Sequence, residues 1–176
     1  KAAGEAELLI GETLGWLGQS LCLREICGRE EGAPPPVDLV EERENGDVVR
    51  AVIAEGLVTA AHDVSDGGLL VALAEMAMAS GIGATIPGLA GTDQIPVWFG
   101  EDQGRYLLTL SIDPQSKQWD AIRDEQSKLG IFAPWIGSTG GRELKLGDAR
   151  AIPVDALAAP HGSSFSRFMA NEVGDP

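Results

Sequence analysis

Short apolar runs alternate with longer amphipathic segments along the chain. Runs of roughly four to eight mostly apolar residues, bounded by glycine, proline or charged residues, are typical of buried strands. The predicted strands are Glu7–Ile10, Leu57–Ala61, Ile82–Ile86, Ile95–Phe99, Arg105–Ile112, Ile131–Ile136 and Glu143–Leu146.

Other segments place apolar residues on one face and end at glycine, which predicts helices. Asp113 is a candidate N-cap with Pro114 in the first turn, and Gly130 ends that helix. The predicted helices are Gln19–Cys27, Val37–Glu55, Leu69–Ala79, Asp113–Gly130, Pro153–Ala158 and Ser163–Asn171.

The alternation of strands and helices favours a layered α/β fold, and 176 residues is the size of one domain. In the segment Leu69–Ala79 only Glu75 interrupts an otherwise apolar run. A helix that is apolar on every side is covered on more than one side. We therefore expect this helix to lie between the sheet and another helix, domain or subunit.

The net charge of −14 arises from 27 acidic and 13 basic residues. No basic patch suited to nucleic-acid phosphates is visible, and no apolar run reaches the roughly 18 residues that span a bilayer. We expect neither a nucleic acid nor a membrane as partner. The start at Lys1 lacks an initiator Met and a signal peptide, so we expect an excised piece of a longer protein.

The two cysteines, Cys22 and Cys27, lie five residues apart in a predicted helix. That spacing suits neither a disulfide within one helix nor a CxxC metal motif. It predicts reduced packing residues in a cytoplasmic protein.

The strongest candidate for chemistry is the turn Asp63-Val-Ser-Asp-Gly-Gly68 between a strand and the apolar helix. Gly67 and Gly68 allow close approach of a ligand, and the helix start offers N–H groups to a phosphate. Asp63 and Asp66 repel a bare phosphate, so this interpretation requires Mg²⁺ or a local hydrogen-bonding role. The alternative is a tight connection capped by Ser65 or Asp66. The residues alone leave both interpretations open.

The second candidate is Phe99–Arg105, between two predicted strands. Glu101, Asp102 and Gln103 could accept hydrogen bonds from a ligand or coordinate Mg²⁺. Equally, Gly100–Gly104 suits a β-turn whose polar side chains face water.

The chain shows no complete catalytic set, because it lacks the familiar nucleophile, Walker and zinc-protease motifs. His62 at a strand end is expected to be a hydrogen-bonded structural residue, and His161 is assigned no role. We predict no catalytic residue and no metal ligands in this chain.

Four segments in a fixed order carry a resemblance to a known family. They are Leu14–Ile26, Ala33–Leu39, Ala61–Leu69 and Phe99–Arg105. Together they resemble the last domain of the large subunit of small, bacterial formylglycinamidine synthases, over about Glu7 to Asn171. The Asp63–Gly68 turn is shared with the wider aminoimidazole-ribonucleotide-synthetase superfamily. The run Gly18–Leu21, with the Arg-Glu-Ile and triple proline that follow, is typical of a narrower group within that superfamily and carries the more specific resemblance.

The resemblance implies a three-layer α/β/α sandwich with a mixed sheet, partly like a ferredoxin fold. Residues 1–176 would be a single C-terminal domain of a multidomain amidoligase, inactive in isolation. The whole enzyme would convert formylglycinamide ribonucleotide, ATP and ammonia to formylglycinamidine ribonucleotide, ADP and phosphate in purine biosynthesis. ATP and Mg²⁺ would be its cofactors. Its partners would be the missing N-terminal domains, a glutaminase subunit and a small assembly subunit.

In such enzymes the catalytic histidine and the main Mg²⁺ and ATP ligands belong to segments that this chain does not contain. Asp102 stands where the substrate-binding copy of the motif carries Ser, so the resemblance implies either a structural nucleotide site or an empty one. The ligand-facing set that it implies is Asp63, Ser65, Asp66, Gly67, Gly68, Glu101, Asp102 and Gln103. The alternatives are a purely structural scaffold domain, or the equivalent domain of aminoimidazole ribonucleotide synthetase or selenophosphate synthetase.

Overall fold

A seven-stranded mixed sheet forms the centre of the computed structural model, which describes residues 1–87, 94–111 and 133–170. The strands are β1 Ala6–Ile10, β2 Val58–Val64, β3 Ala84–Ile86, β4 Arg105–Leu110, β5 Trp135–Thr139, β6 Glu143–Leu146 and β7 Ile152–Pro153. Their order across the sheet is β2-β4-β1-β5-β3-β6-β7. Among these pairs β3 and β6 run parallel, and the others run antiparallel.

Strand β1 lies in the interior of the sheet, and all five of its residues are buried. Because side chains alternate between the two faces of a strand, Leu8 and Ile10 join one apolar cluster while Leu9 joins the other. The apolar run that predicted this strand therefore reflects burial on both faces, as is typical of the central strands of layered folds.

Within the described residues, four α-helices cover the two faces of the sheet: α1 Leu39–Ala54, α2 Gly68–Ser80, α3 Gln94–Phe99 and α4 Val154–Met169. Val49 of α1 packs in the cluster with Leu8. Leu73 of α2, Trp98 of α3 and Val154 of α4 pack in the opposite cluster. The helices and the sheet form three layers, which confirms the predicted α/β/α sandwich. None of the described helices is long and apolar enough to cross a membrane.

Helix α1 begins where the prolines end. The Asp38 carboxylate accepts hydrogen bonds from the backbone nitrogens of Val40 and Glu41, at 2.9 and 3.2 Å. Gly46 does not interrupt the helix. It lies buried close to the Tyr106 hydroxyl, and a β-carbon there would come within 3.6 Å of that oxygen. The predicted helix is confirmed to within two residues at its start.

Helix α2 is the apolar helix that the sequence predicted, and it is covered on more than one side. Leu69, Ala72 and Leu73 are buried against the sheet cluster, and α3 and α4 both contact α2. Its one charged residue, Glu75, lies 3.0 Å from His62 Nε2 of β2. The histidine therefore has the hydrogen-bonded structural position expected of it.

One predicted element is wrong in type, and two predicted helical pieces prove to be parts of one helix. The apolar run Ile95–Phe99 is not a strand, because Gln94–Phe99 forms helix α3. Short apolar runs do not separate strand from helix, and Pro96 suits a first helical turn. The last two helical pieces are one helix, α4, which continues through Pro160.

Two further predictions change in extent. The segment predicted as the helix Gln19–Cys27 contains only a π-helical turn at Cys22–Ile26. Cys22 is buried, as expected, but Cys27 is exposed and is not a packing residue. The predicted helix Asp113–Gly130 lies outside the described residues, and so does the start of the predicted strand Ile131–Ile136.

A buried charge sits on β1. Glu7 pairs with Lys1, with Oε1 and Nζ 3.2 Å apart, and both side chains are almost fully buried. Burial raises the pKa of Glu7, and the Lys1 charge partly opposes that shift. Glu7 lies opposite Thr109 in the β1–β4 register. Within the described residues, neither Glu7 Oε2 nor Thr109 Oγ1 has a hydrogen-bond partner.

Candidate functional site

Three segments meet at one end of the sheet. The loop Gly11–Leu21 follows β1, the turn Ser65–Gly68 leads into α2, and the segment Gly100–Gly104 leads into β4. Backbone N–H groups of the segments donate hydrogen bonds to the carboxylates of Glu101 and Asp102 and thereby link them. The two sequence motifs that were candidates for chemistry are thus parts of one structure.

Glu101 joins all three segments. Its Oε1 accepts hydrogen bonds from the backbone nitrogens of Leu21 and Gly67, each at 2.8 Å. Its own backbone nitrogen donates to the Trp16 carbonyl at 2.9 Å. The carboxylate lies at the N-terminus of α2, where negative charge is favoured by the helix dipole. Glu101 therefore caps α2 from a distant part of the chain.

Asp102 binds the backbone of the glycine-rich loop, Gly11–Leu21. Its Oδ2 accepts from the nitrogens of Leu14 and Gly15 at 3.2 and 3.0 Å, and its Oδ1 accepts from Trp16 at 3.0 Å. Asp102 is only 5% exposed. A carboxylate with three N–H donors is well solvated by the protein despite its burial. The prediction of a turn with polar side chains in water is wrong for this residue.

Arg105, at the start of β4, is fully buried. It donates to the carbonyl oxygens of Gly100 and Asp102, at 2.6 and 3.3 Å, and to Thr13 Oγ1 at 3.2 Å. Its guanidinium lies 3.6 Å from Asp102 Oδ2. Burial lowers the pKa of Arg105, and the Asp102 charge opposes that shift. The ion pair neutralises the charge of Asp102 inside the protein.

Glycine is required where the segments touch. Gly68 has φ +71°, and a β-carbon on it would lie 2.5 Å from the Gly100 carbonyl oxygen. Gly15 has φ +76°, and a β-carbon there would lie 2.6 Å from Pro96 Cβ. Both positions combine a left-handed backbone with close packing against another segment, so no other residue fits without rearrangement.

The predicted cap of α2 is wrong. Neither Ser65 nor Asp66 caps the helix, because the N-cap residue is Gly67 and no side chain of the turn itself bonds there. Gly68 N instead donates to the Ser65 carbonyl at 3.0 Å. Ser65 and Asp66 are both exposed. The Glu101 carboxylate supplies the capping that these side chains do not.

The predicted ligand-facing residues fall into two groups, those with contacts inside the protein and those at its surface. Glu101, Asp102, Gly67 and Gly68 are engaged in the internal contacts described above. By contrast, the side chains of Asp63, Ser65 and Gln103 line one cavity of about 200 Å³, together with Glu42 and Tyr106. Asp66 lies exposed outside that cavity.

The turn does not fit a phosphate at Gly67. The N–H that would hold the phosphate donates to Glu101, whose negative charge would repel a phosphate placed there. Across residues 1–87, 94–111 and 133–170, no three His, Cys, Asp or Glu side chains form a group that could hold a metal ion. At this turn the described residues therefore offer neither a free Gly67 N–H for a phosphate nor a group of three metal-ligating side chains.

Arg105, Thr13 and Asn45 were not among the predicted site residues. Asn45 is buried in α1, and its side-chain nitrogen donates to the Gly104 carbonyl at 3.1 Å. One feature of the sequence could have identified Arg105, because it is an arginine directly after Gly100–Gly104 at the start of an apolar strand. A charged residue there needs buried partners, and the nearest is Asp102.

A family model described as AIR synthase related protein, C-terminal domain, matches residues 2–143. The chain belongs to this family. Membership of the AIR synthase C-terminal domain family confirms the resemblance at superfamily level.

Two curated relatives of the chain carry the same description. The chain is 70% identical over 165 residues to the phosphoribosylformylglycinamidine synthase subunit PurL of Mesorhizobium japonicum, covering 92% of the chain and 22% of that protein. It is 53% identical over 171 residues to the PurL subunit of Rhodopseudomonas palustris, covering 97% of the chain and 23% of the relative. The chain thus spans less than a quarter of the length of these relatives.

Solved structures show the same fold. Thermotoga maritima PurL complexed with FGAR aligns with a TM-score of 0.67 at 18% identity, covering 90% of this chain and 28% of that one. A thiamine-monophosphate kinase from Stenotrophomonas maltophilia aligns with a TM-score of 0.52 at 20% identity, covering 85% of this chain and 52% of that one. The fold of the AIR synthase C-terminal domain family is therefore shared between proteins of different names, and fold alone does not select an activity.

Proposed function

We propose that this chain is the C-terminal domain of the large, PurL-type subunit of a phosphoribosylformylglycinamidine synthase. The observation that supports the proposal most strongly is the 70% identity to a PurL subunit over 92% of the chain. The coverage of only 22% of that relative supports a domain of a multidomain enzyme.

The proposed reaction of the whole enzyme is an ATP-dependent amidation. ATP phosphorylates the amide oxygen of formylglycinamide ribonucleotide, and ammonia then displaces phosphate, which carries that oxygen away. Solved PurL neighbours complexed with ATP, ADP and FGAR support these ligands. Mg²⁺ would neutralise the phosphate charge, and among the described residues no three His, Cys, Asp or Glu side chains are grouped to hold it.

We further propose that this domain supplies no catalytic residue. Among the described residues, the charged side chains of Glu101, Asp102 and Arg105 near the candidate site bond to backbone groups of the domain itself. The partners would be the other domains of the polypeptide, a glutaminase subunit and a small assembly subunit. A solved neighbour described as PurLQS supports such an assembly, which would be cytoplasmic.

The test is an assay of the full-length polypeptide with ammonia, ATP and formylglycinamide ribonucleotide. Formation of formylglycinamidine ribonucleotide together with ADP is expected. Turnover of formylglycinamidine ribonucleotide to aminoimidazole ribonucleotide, or of selenide to selenophosphate, would instead favour a sister enzyme.

The second candidate is a purely structural scaffold role, in which this domain contacts no ligand. The hydrogen bond from the Gly67 N–H to the Glu101 carboxylate favours it. If the cavity lined by Asp63, Ser65 and Gln103 contacts a ligand, the full-length variants Asp63→Asn, Ser65→Ala and Gln103→Ala should raise the KM for ATP or formylglycinamide ribonucleotide. Glu55→Gln, at an exposed position outside that cavity, is the matched control. Unchanged kinetics in all three variants would favour the scaffold.

A further inference from the structure

An apolar groove with an acidic rim lies beside the start of α1. Its volume is about 270 Å³. That is below the roughly 300–1,000 Å³ of small-molecule sites, so the groove suits one or two side chains better than a nucleotide. The lining residues are Leu14, Pro35, Pro36, Val37 and Gln103, with the acids Glu12, Asp38, Glu41, Glu42 and Asp102.

The apolar residues of the groove are held rigidly while remaining exposed. Leu14 is 64% exposed, yet its backbone nitrogen donates to the buried Asp102 carboxylate. Val37 is 57% exposed and follows Pro35 and Pro36, whose rings fix the backbone. A preorganised apolar surface loses little conformational entropy on binding. Single exposed apolar residues are ordinary, but two that are fixed in one groove favour a docking surface.

The rim determines the chemistry of the occupant. Glu41 and Glu42 complement the dipole at the start of α1, and Asp38 caps that helix. Helix capping does not account for Glu12, which lies on the loop after β1. Among the residues that the structure describes, no Lys, Arg or His lines the groove, so its potential favours a partner that carries positive charge.

We propose that the groove receives a basic segment with an apolar side chain at its centre, contributed by another domain of the same polypeptide. This inference rests on the proposed function, in which the chain is one domain of a longer protein. The occupant is placed in the same polypeptide because this chain spans only 22–23% of its PurL relatives, which leaves most of such a protein to cover its surfaces.

Hydroxyl-radical footprinting of the full-length protein tests the proposal, with Ile26 as internal reference. Ile26 is 77% exposed and lies outside the groove. In the docked state Leu14 should be oxidised about tenfold more slowly than Ile26, because the centre of an interface excludes water. The protection should persist on about hundredfold dilution, since contacts within one polypeptide do not follow mass action.

The charge of the occupant is tested by neutralising the rim. The double variant Glu41→Gln/Glu42→Gln should raise Leu14 oxidation severalfold, whereas Glu44→Gln/Glu55→Gln on exposed positions outside the groove should not. Leu14 oxidised as fast as Ile26 would overturn the proposal, and so would protection that disappears on dilution or ignores the rim variants. Because footprinting does not depend on turnover, Leu14 protection in an enzyme without amidoligase activity would refute only the proposed function.

Discussion

Glu101 Oε1 lies 2.8 Å from the backbone nitrogen of Gly67, and the same oxygen lies 2.8 Å from the nitrogen of Leu21. One carboxylate thereby joins the start of α2 to the end of the glycine-rich loop, across 34 and 80 residues of sequence. Within the described residues, a segment that resembles a ligand-binding motif thus also makes an internal connection.

Removal of that carboxylate should destabilise the fold. In Glu101→Ala the N–H groups of Leu21 and Gly67 lose their acceptor, and the expected loss is about 2–4 kcal/mol in the free energy of unfolding. Urea denaturation of the chain measures it. The matched variant Gln103→Ala alters an exposed residue whose bond stays within its own loop, and should change stability by less than about 0.5 kcal/mol. Equal effects of the two variants would contradict the connecting role of Glu101.

The close contact at Gly68 should be separable from its backbone conformation. Gly68 and Gly81 have similar φ values, +71° and +67°, but only at Gly68 would a β-carbon meet other atoms. Gly81→Ala should therefore cost about 1–2 kcal/mol, the strain of a left-handed alanine. Gly68→Ala should cost roughly 1–3 kcal/mol more, because the β-carbon would lie 2.5 Å from the Gly100 carbonyl oxygen. Thermal unfolding of the two variants measures the difference, and similar losses would show that the contact relaxes freely.

Arg105 should matter far more than an exposed arginine. Arg105→Met removes its three hydrogen bonds and leaves the buried Asp102 charge without its cation. The expected loss is about 3–5 kcal/mol. Arg142→Met breaks an exposed pair with Asp155 and should cost at most about 1 kcal/mol. Urea unfolding compares the two. A loss below about 1 kcal/mol for Arg105→Met would mean that the buried pair stabilises nothing.

Glu7 should make stability fall with rising pH. Burial raises its pKa in the folded chain, so the folded chain binds the proton more tightly than the unfolded chain does. The contribution of Glu7 is therefore greatest below the ordinary glutamate pKa, and it declines as pH rises through the raised value. Glu7→Gln abolishes this titration, so the free energy of unfolding of the native chain minus that of the variant should decrease across that window.

A second variant tests the cause of the Glu7 shift. Lys1 lowers the pKa of Glu7 against the effect of burial, so Lys1→Met should extend the decline in stability to higher pH. Denaturant titrations at a series of pH values measure both variants. A difference between the native chain and Glu7→Gln that stays constant with pH would contradict a raised pKa.

The local pattern of apolar and polar residues identified most helices and strands, but it did not separate helix from strand in the short segment Gln94–Phe99. The runs at β1 and β4 and the helices α1 and α2 were predicted close to their observed bounds, because burial periodicity is a local property of the sequence. The segment Gln94–Phe99 was not, since six residues are too few for the strand and helix periods to differ. In the folded chain this segment is a helix, in which Trp98 packs with Leu73 and other buried residues of α2. The Trp98 indole N–H also donates to Gln94 Oε1.

The sequence by itself determined the layered α/β fold, the apolar helix buried between layers, and the family, because each follows from periodicity or from motifs contiguous in the chain. Only the tertiary structure decided what Glu101, Asp102 and Arg105 do. Their partners lie up to 92 residues away in sequence, and a carboxylate that binds a ligand and one that binds a distant backbone have the same local pattern. Hydrogen-bond donors are chosen by proximity in space, which the order of residues along the chain does not specify.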